Sequence, residues 1–183
     1  NPKLWSPETP NLYTAHSKLY QGDTLKDELV TRFGIRSIEY DRNRGFVLNG
    51  KVRKFKGVCL HHDLGPLGAA VNKSALRRQI RIMKEMGCDS IRSAHITPSH
   101  EQLELFDEIG ILFMAESFDE WVTHKVPNGY NRWFKKWAEK DVVNLVRATR
   151  NHPCIVMWSA GNEVPCQKVD GGVERAKWLQ DVF

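Results

Sequence analysis

The residues with the greatest chemical potential lie in the segment 151–165, NHPCIVMWSAGNEVP. Residues 154–158 form a short apolar run containing Ile155 and Val156, preceded by a turn-forming Asn-His-Pro. Ser159, Ala160 and Gly161 follow, then Asn162 and Glu163. A short apolar run bounded by breakers suits a strand of a buried parallel sheet. Such sheets place their chemistry where strands end and loops begin. Glu163 is expected at that end, partly desolvated against Trp158. Desolvation raises a carboxyl's pKa and lets it act as a general acid near neutral pH. Taken alone, a Glu after a strand is more simply a solvated loop acid. Asn162, Trp158 and the pattern upstream favour the chemical reading.

Three more apolar runs upstream also end in polar or aromatic residues. The first, residues 55–60, ends at His61, His62 and Asp63; the second, 89–92, at Arg92 and His95. The third, 111–115, ends at Glu116, Asp119 and Trp121. The histidines could be metal ligands, sugar-hydroxyl contacts or structural residues. Their spacing matches no metal motif, which favours sugar contacts. Arg92, directly after a buried strand, needs a partner and could hold a carboxylate ionised. Glu116 could support a site or hold an arginine, and Asp119 and Glu120 could cap the next segment. Trp121 is expected at a rim, where it could stack on a sugar ring, and Trp158 in a core or wall. Two carboxyl groups flanking a glycosidic bond would be needed to cleave it, and Glu163 is the candidate acid.

Helices must alternate with these strands. Leu76, Ile80 and Met83 share one face of a helix over residues 74–86, and Gly87 suits its stop. Ser99 and Gln102 form a capping box for a second helix carrying Leu103 and Phe106. A long helix is predicted over 130–150, with Trp133, Trp137, Asp141 and Leu145 at helical spacing, and another over 172–183. Strand–helix alternation of this kind indicates a parallel sheet. A whole (β/α)₈ barrel takes roughly 250 residues, so residues 43–183 hold about the first half of one. Residues 1–42 read as strands from the end of a β-sandwich, with a hairpin turning at Gly22-Asp23. Asn49-Gly50 marks a second hairpin, which is expected to close the bottom of the barrel.

The chain has 183 residues, 41% of them hydrophobic, and a formal net charge of +5. That length supports one mid-sized core, or one core plus part of another. Its basic clusters are broken by apolar residues, which argues against nucleic-acid binding. No apolar run reaches membrane-spanning length. The four cysteines form no CxxC pair, and Cys59 and Cys154 are expected as buried free thiols.

Together these stretches closely resemble glycoside hydrolase family 2, the group that includes β-galactosidases, β-glucuronidases and β-mannosidases. LWSPETPNLY and RFGIRSIE resemble the end of that family's immunoglobulin-like sandwich. GFVLNGKVRKFKGVCLHHD resembles the entry to its barrel. MKEMGCDSIRSAHITPS, LFDEIGILFMAESFDEW and RNHPCIVMWSAGNE resemble its second, third and fourth barrel strands. The resemblance implies a retaining glycosidase with Glu163 as acid/base, Asn162 on the sugar's 2-hydroxyl, His61 and His95 on the sugar, and Arg92 beside the nucleophile. Asp63 and Trp121 complete the expected substrate contacts. HHDLGPLGAA favours the β-galactosidase branch. Ile96-Thr97-Pro98, Ala115 and Ala148-Thr149-Arg150 depart from the family's usual residues. The family's nucleophile is a Glu late in the barrel, and no residue here matches it. The chain is therefore expected to carry the acid/base half of a β-galactosidase-like site and to be inactive alone. The alternatives are β-glucuronidase or β-mannosidase chemistry, or a non-catalytic carbohydrate-binding or assembly module. No cofactor is implied for the chain, although the resemblance leaves a cation in the parent enzyme open. An exposed half-barrel surface would favour self-association.

Overall fold

The computed structural model describes residues 1–168 and 171–183. Its first strands, β1 (Tyr13–Gln21) and β2 (Thr24–Phe33), form an antiparallel hairpin. Leu19, Leu29 and Val30 on this ribbon are exposed. Two strands cannot bury a face by themselves, so the ribbon leaves these side chains open. The segment before them is tied to the rest of the chain by Trp5. Its ring is fully buried, and its Nε1 donates to the Asp107 carbonyl at 2.9 Å.

A three-stranded antiparallel sheet follows, made of β3 (Ile38–Asp41), β4 (Gly45–Leu48) and β5 (Lys51–Val52). Asn49 and Gly50 both have positive φ, 52° and 77°. A tight hairpin whose twist matches its strands requires that sign at both central residues. Because β3 pairs with β4, this sheet spans the expected division at residues 42/43. Phe46 and Leu48 enter the main core. The Arg36 guanidinium donates to the carbonyls of Pro153 and Ile155, and Tyr40 Oη to that of Val156. This segment therefore covers the end of the sheet opposite the strands' polar tips.

The central sheet is parallel and ordered as in the chain: β6 (Gly57–Leu60), β7 (Ser90–Ser93), β8 (Leu112–Glu116) and β9 (Ile155–Ser159). Between the strands run α1 (Lys73–Glu85), α2 (His100–Ile109) and α3 (Asn131–Thr149), and α4 (Gly172–Val182) comes last. This is the N-terminal half of a (β/α)₈ barrel. Asn72 caps α1 through its side chain, and Ser99 Oγ accepts from the Gln102 amide at the start of α2. Gly110 ends α2 with φ 82°, packed so closely that a Cβ would lie 2.6 Å from the Pro7 carbonyl oxygen. Val58, Ile91, Phe113 and Ile155 face the helices in one apolar core. The opposite face, with Cys59, Arg92 and Met114, lines an open hollow of about 290 Å³.

Two packing expectations need correction. The buried stripe of α3 is Phe134, Ala138, Val142, Leu145 and Thr149. Trp133 and Trp137, one position round the helix, are 51% and 39% exposed. Lys140 Nζ stands 4.8 Å from the Trp137 ring centroid, so that face meets water through cations and aromatic edges. Cys154 is buried as expected, but Cys59 is exposed, because it points into the open hollow rather than toward the helices. A second core of Phe118, Trp121, Phe134, Val164 and Leu179 supports the loops after β8 and β9. These loops carry most of the candidate site.

Candidate active site

Glu116 is the last residue of β8, and its side chain is 1% exposed. A carboxylate withdrawn from water needs compensating charge and donors. Arg92 donates through Nε to Oε2 at 3.0 Å and through Nη2 to both oxygens at 2.9 Å. The His95 backbone amide reaches Oε1 at 2.7 Å, and the Ser159 hydroxyl donates to Oε2 at 2.7 Å. The Glu116 amide in turn donates to Ser93 Oγ at 3.0 Å. Three neighbouring parallel strands thus converge on one buried anion. Partial burial works against the charge on Arg92. Its contacts with Cys59 and Glu116 outweigh that effect and hold its pKa above the ordinary arginine value.

Arg92 also joins this anion to the loop after β9. Its Nη2 donates to Asn162 Oδ1 at 2.6 Å. The Asn162 amide donates to the Phe118 carbonyl at 2.9 Å, and its own carbonyl accepts from Lys125 Nζ at 2.6 Å. Asn162 is thereby held from three sides. Its side-chain NH₂ has no partner among the described residues and is free to donate to a ligand.

Glu163 follows directly and is exposed, with φ 44°. The expected desolvation against Trp158 is not seen. Trp158 packs with the helix-side core, and its Nε1 donates to Thr149 Oγ1 on α3 at 2.9 Å. Successive strand residues face opposite sides of a sheet, and Trp158 takes the helix side, away from the loop acid.

His95 also takes positive φ, 74°. Its Nδ1 stands 3.4 Å from Asp119 Oδ1, and its ring centroid lies 5.1 Å from that of His61. Arg92, His95, Glu116 and Asn162 therefore share direct contacts, with His61 adjoining through His95 and Glu163 through the chain. Asp63 and His62 are used locally. Asp63 Oδ1 accepts from the Gly65 amide at 2.6 Å, and the His62 ring meets the Ala69 carbonyl at 2.9 Å.

The rim position expected for Trp121 is not what the structure shows. Trp121 is 4% exposed, packs in the second core, and donates from Nε1 to the Ala160 carbonyl at 2.8 Å. The aromatic-rich loop folds back over α3 and buries the indole beneath the Ala160-Gly161 turn.

Sequence reasoning did not single out Lys125, Ser93 or Ser159, and it read Glu120 as a capping acid. Glu120 is 1% exposed; its oxygens accept from the Lys125 amide at 2.6 Å and the Asn131 amide at 2.8 Å. Gly129 lies against it so tightly that a Cβ would fall 1.7 Å from Glu120 Oε1. The loop between β8 and α3 is cinched around this carboxylate, which holds Lys125 over the site. An isolated Lys or Ser carries no periodic or motif signal, so these contacts become visible only in three dimensions.

Among the described residues, no group of three His, Cys, Asp or Glu side chains is arranged to hold a metal ion. The cluster instead supplies an exposed carboxyl, a pinned amide donor, two imidazoles and an arginine-held carboxylate. Those groups suit proton transfer to, and hydrogen bonding with, a polyhydroxylated ligand.

The profile described as Glycosyl hydrolases family 2, TIM barrel domain, matches residues 41–177, and that described as Glycosyl hydrolases family 2 matches residues 1–36. A β-galactosidase of Bacteroides ovatus is 46% identical over 163 residues, covering 89% of this chain and 19% of that protein. A putative β-glucuronidase of Formosa agariphila is 43% identical over 163 residues, covering 88% of this chain and 16% of that protein. The crystal structure of a glycosyl hydrolase family 2 member from Bacteroides cellulosilyticus superposes with a TM-score of 0.96 at 37% identity, covering 99% of this chain and 23% of that one. The Parabacteroides merdae β-glucuronidase structure gives a TM-score of 0.83 at 31% identity, with coverage of 99% and 23%. The chain thus spans about a fifth of the length of these relatives.

Proposed function

The chain belongs to glycosyl hydrolase family 2, and from that premise we propose that it is the acid/base half of the active site of a retaining β-galactosidase. The observation that carries this reading is the pinned Asn162 beside Glu163, bound through Arg92 to the buried Glu116. In this reading Glu163 protonates the departing glycosidic oxygen and then takes a proton from the attacking water. A carboxylate from the remaining part of the parent enzyme attacks the anomeric carbon, since a retaining mechanism needs two. The unpartnered side-chain NH₂ of Asn162 donates to the sugar's 2-hydroxyl, where contacts strengthen in the transition state. His61 and His95 face the sugar, and Arg92 orients both Asn162 and the Glu116 side chain. Asp63 and Trp121 act as supports, the first for its own loop and the second for the Ala160-Gly161 turn. Exposed Glu163 acquires its acid's environment from the groups that close the other side of the barrel.

The 46% identity to a named β-galactosidase supports the sugar assignment. The 43% identity to a putative β-glucuronidase supports a second reading in which only the sugar differs. Kinetics of the parent enzyme on 4-nitrophenyl β-galactoside, β-glucuronide and β-mannoside separate them. The galactoside is expected to be turned over fastest. Glu163→Gln is expected to lower kcat/KM on it by about 10²–10⁴, the range for a general acid–base group. A faster glucuronide transfers the assignment to that sugar. Undiminished activity of Glu163→Gln overturns the acid/base role.

A further inference from the structure

We propose that Lys125 is a positioning residue for the acid/base carboxyl, acting through the peptide that joins Asn162 to Glu163. This inference rests on the acid/base reading of Glu163 and adds a residue to that machinery. The Lys125 ammonium donates to the Asn162 carbonyl oxygen at 2.6 Å and to Asp119 Oδ1 at 2.8 Å. That carbonyl belongs to the peptide plane leading into Glu163. With the Asn162 amide on the Phe118 carbonyl at 2.9 Å and Oδ1 on Arg92 at 2.6 Å, the residue has no freedom to rotate while the ammonium is in place.

Glu163 needs such a restraint. Its φ of 44° lies in the left-handed region, which a β-substituted residue occupies at a cost. Gly161, just before, has φ 152°, and a Cβ there would lie 2.9 Å from Val164 Cγ1. The turn therefore contains two unusual dihedrals within three residues. Relaxing the Asn162–Glu163 peptide would swing the Glu163 Cα and displace its carboxyl. A shift of about 1 Å in a catalytic group is enough to cost on the order of a hundredfold in rate.

The position of Lys125 is itself built. Its backbone amide donates to Glu120 Oε2 at 2.6 Å, and Glu120 Oε1 takes the Asn131 amide at the start of α3 at 2.8 Å. Gly129 packs on the same carboxylate at a distance that admits no side chain. The lysine side chain is only 22% exposed, unlike a solvated surface cation. A charge-assisted hydrogen bond to a carbonyl from so fixed a base is directional and strong.

The test exploits leaving-group dependence. A misplaced proton donor slows loss of a basic alcohol far more than loss of an acidic phenol. A general loss of folded enzyme slows both equally. We take the parent enzyme and compare a methyl glycoside with a 2,4-dinitrophenyl glycoside of the sugar it turns over. Lys125→Met should lower kcat/KM on the methyl glycoside by about 100-fold. On the dinitrophenyl glycoside the loss should stay below about fivefold, the proton donor contributing little there. Lys125→Arg, which retains a cation, should recover about tenfold of the loss on the methyl glycoside. Should Lys125→Met give no folded protein, Lys125→Gln serves the same comparison, since its amide donates one weaker hydrogen bond. Equal losses on both substrates, or none on either, overturn the proposal. Glu163→Ala is run alongside. If Glu163→Ala shows the leaving-group dependence and the Lys125 variants do not, only the positioning role fails. If Glu163→Ala lacks it, the acid/base reading itself fails and this role with it.

Discussion

Replacing Glu116 with glutamine should loosen the floor of the site while preserving its shape. The carboxylate accepts five hydrogen bonds: three from Arg92, one from the His95 amide and one from Ser159 Oγ. A glutamine offers one oxygen in place of two. If its NH₂ takes the Oε1 position, it faces Arg92 Nη2 and the His95 N–H, all of them donors. If it takes the Oε2 position, it faces Arg92 Nε and Nη2, and only the Ser159 hydroxyl can turn to accept. Either way a guanidinium loses its counter-charge and at least one donor is left unmatched. Breaking a buried pair costs about 3–5 kcal/mol. Because the Arg92 side chain is 27% exposed, water recovers part of that loss, and the lower end, about 3 kcal/mol, applies. With 1.36 kcal/mol per decade, local opening becomes about two decades more favourable. Hydrogen exchange reports such openings region by region. In the parent enzyme, the peptide containing the His95 amide should exchange about a hundredfold faster in Glu116→Gln, while peptides in β1 and β2 stay unchanged. Exchange of the His95 peptide within threefold of wild type would refute the reasoning that this pair holds the strand ends together.

The 183-residue chain expressed alone should hydrolyse no aryl β-galactoside and should self-associate through its open sheet face, as sedimentation would report; turnover that disappears with Glu163→Gln would refute the half-site reading. Gly129→Ala should lower the parent's melting temperature and activity together, because the new Cβ would lie 1.7 Å from Glu120 Oε1; a variant with unchanged melting and kinetics would show that the loop does not depend on this packing. Arg53 holds the Glu8 carboxyl down from 4.5 to about 2. The stabilisation is therefore fully present above pH 4.5 and fades as pH falls toward 2. The Glu8 side chain is largely exposed, so the pair contributes less than about 1 kcal/mol. Glu8→Gln should lower the melting temperature slightly at pH 7 and progressively less as the pH is taken below 4.5; a deficit that grows on acidification would contradict the sign.

Most of the scaffold was legible because local chemistry specifies it. Asn49-Gly50 takes the two positive φ values its hairpin needs, Ser99 caps α2, and Gly110 ends it. The four apolar runs form parallel strands in chain order. The errors lie where non-local packing decides. Trp133 and Trp137 share helical spacing with Asp141 and Leu145, yet the neighbouring stripe through Phe134 and Val142 is the one that packs against α4 and the loops after β8 and β9. Trp121 stands in a polar stretch after a strand, but the loop turns it beneath Ala160. Glu163 follows a strand end as its position in the sequence implies, but it is exposed, because Trp158 turns to Thr149 on α3 instead of covering it. Arg92 and Asn162 are each conspicuous in the sequence, but nothing in it links two residues seventy positions apart, and their contact exists only in the fold. The position of Glu116 implies an arginine partner, but Ser159 and the His95 amide reach it only through the fold. Lys125 left no trace at all, because an isolated lysine in a loop looks the same whether solvated or pinned over a site.

A crystal structure of the parent enzyme with a galactose-configured inhibitor bound is the most direct measurement. The account predicts the Asn162 side-chain nitrogen about 2.6–3.2 Å from the C2 hydroxyl and the Glu163 carboxyl within the same reach of the anomeric substituent. A sugar ring seated with Asn162 turned away from C2, or with Glu163 remote from the anomeric substituent, would contradict it.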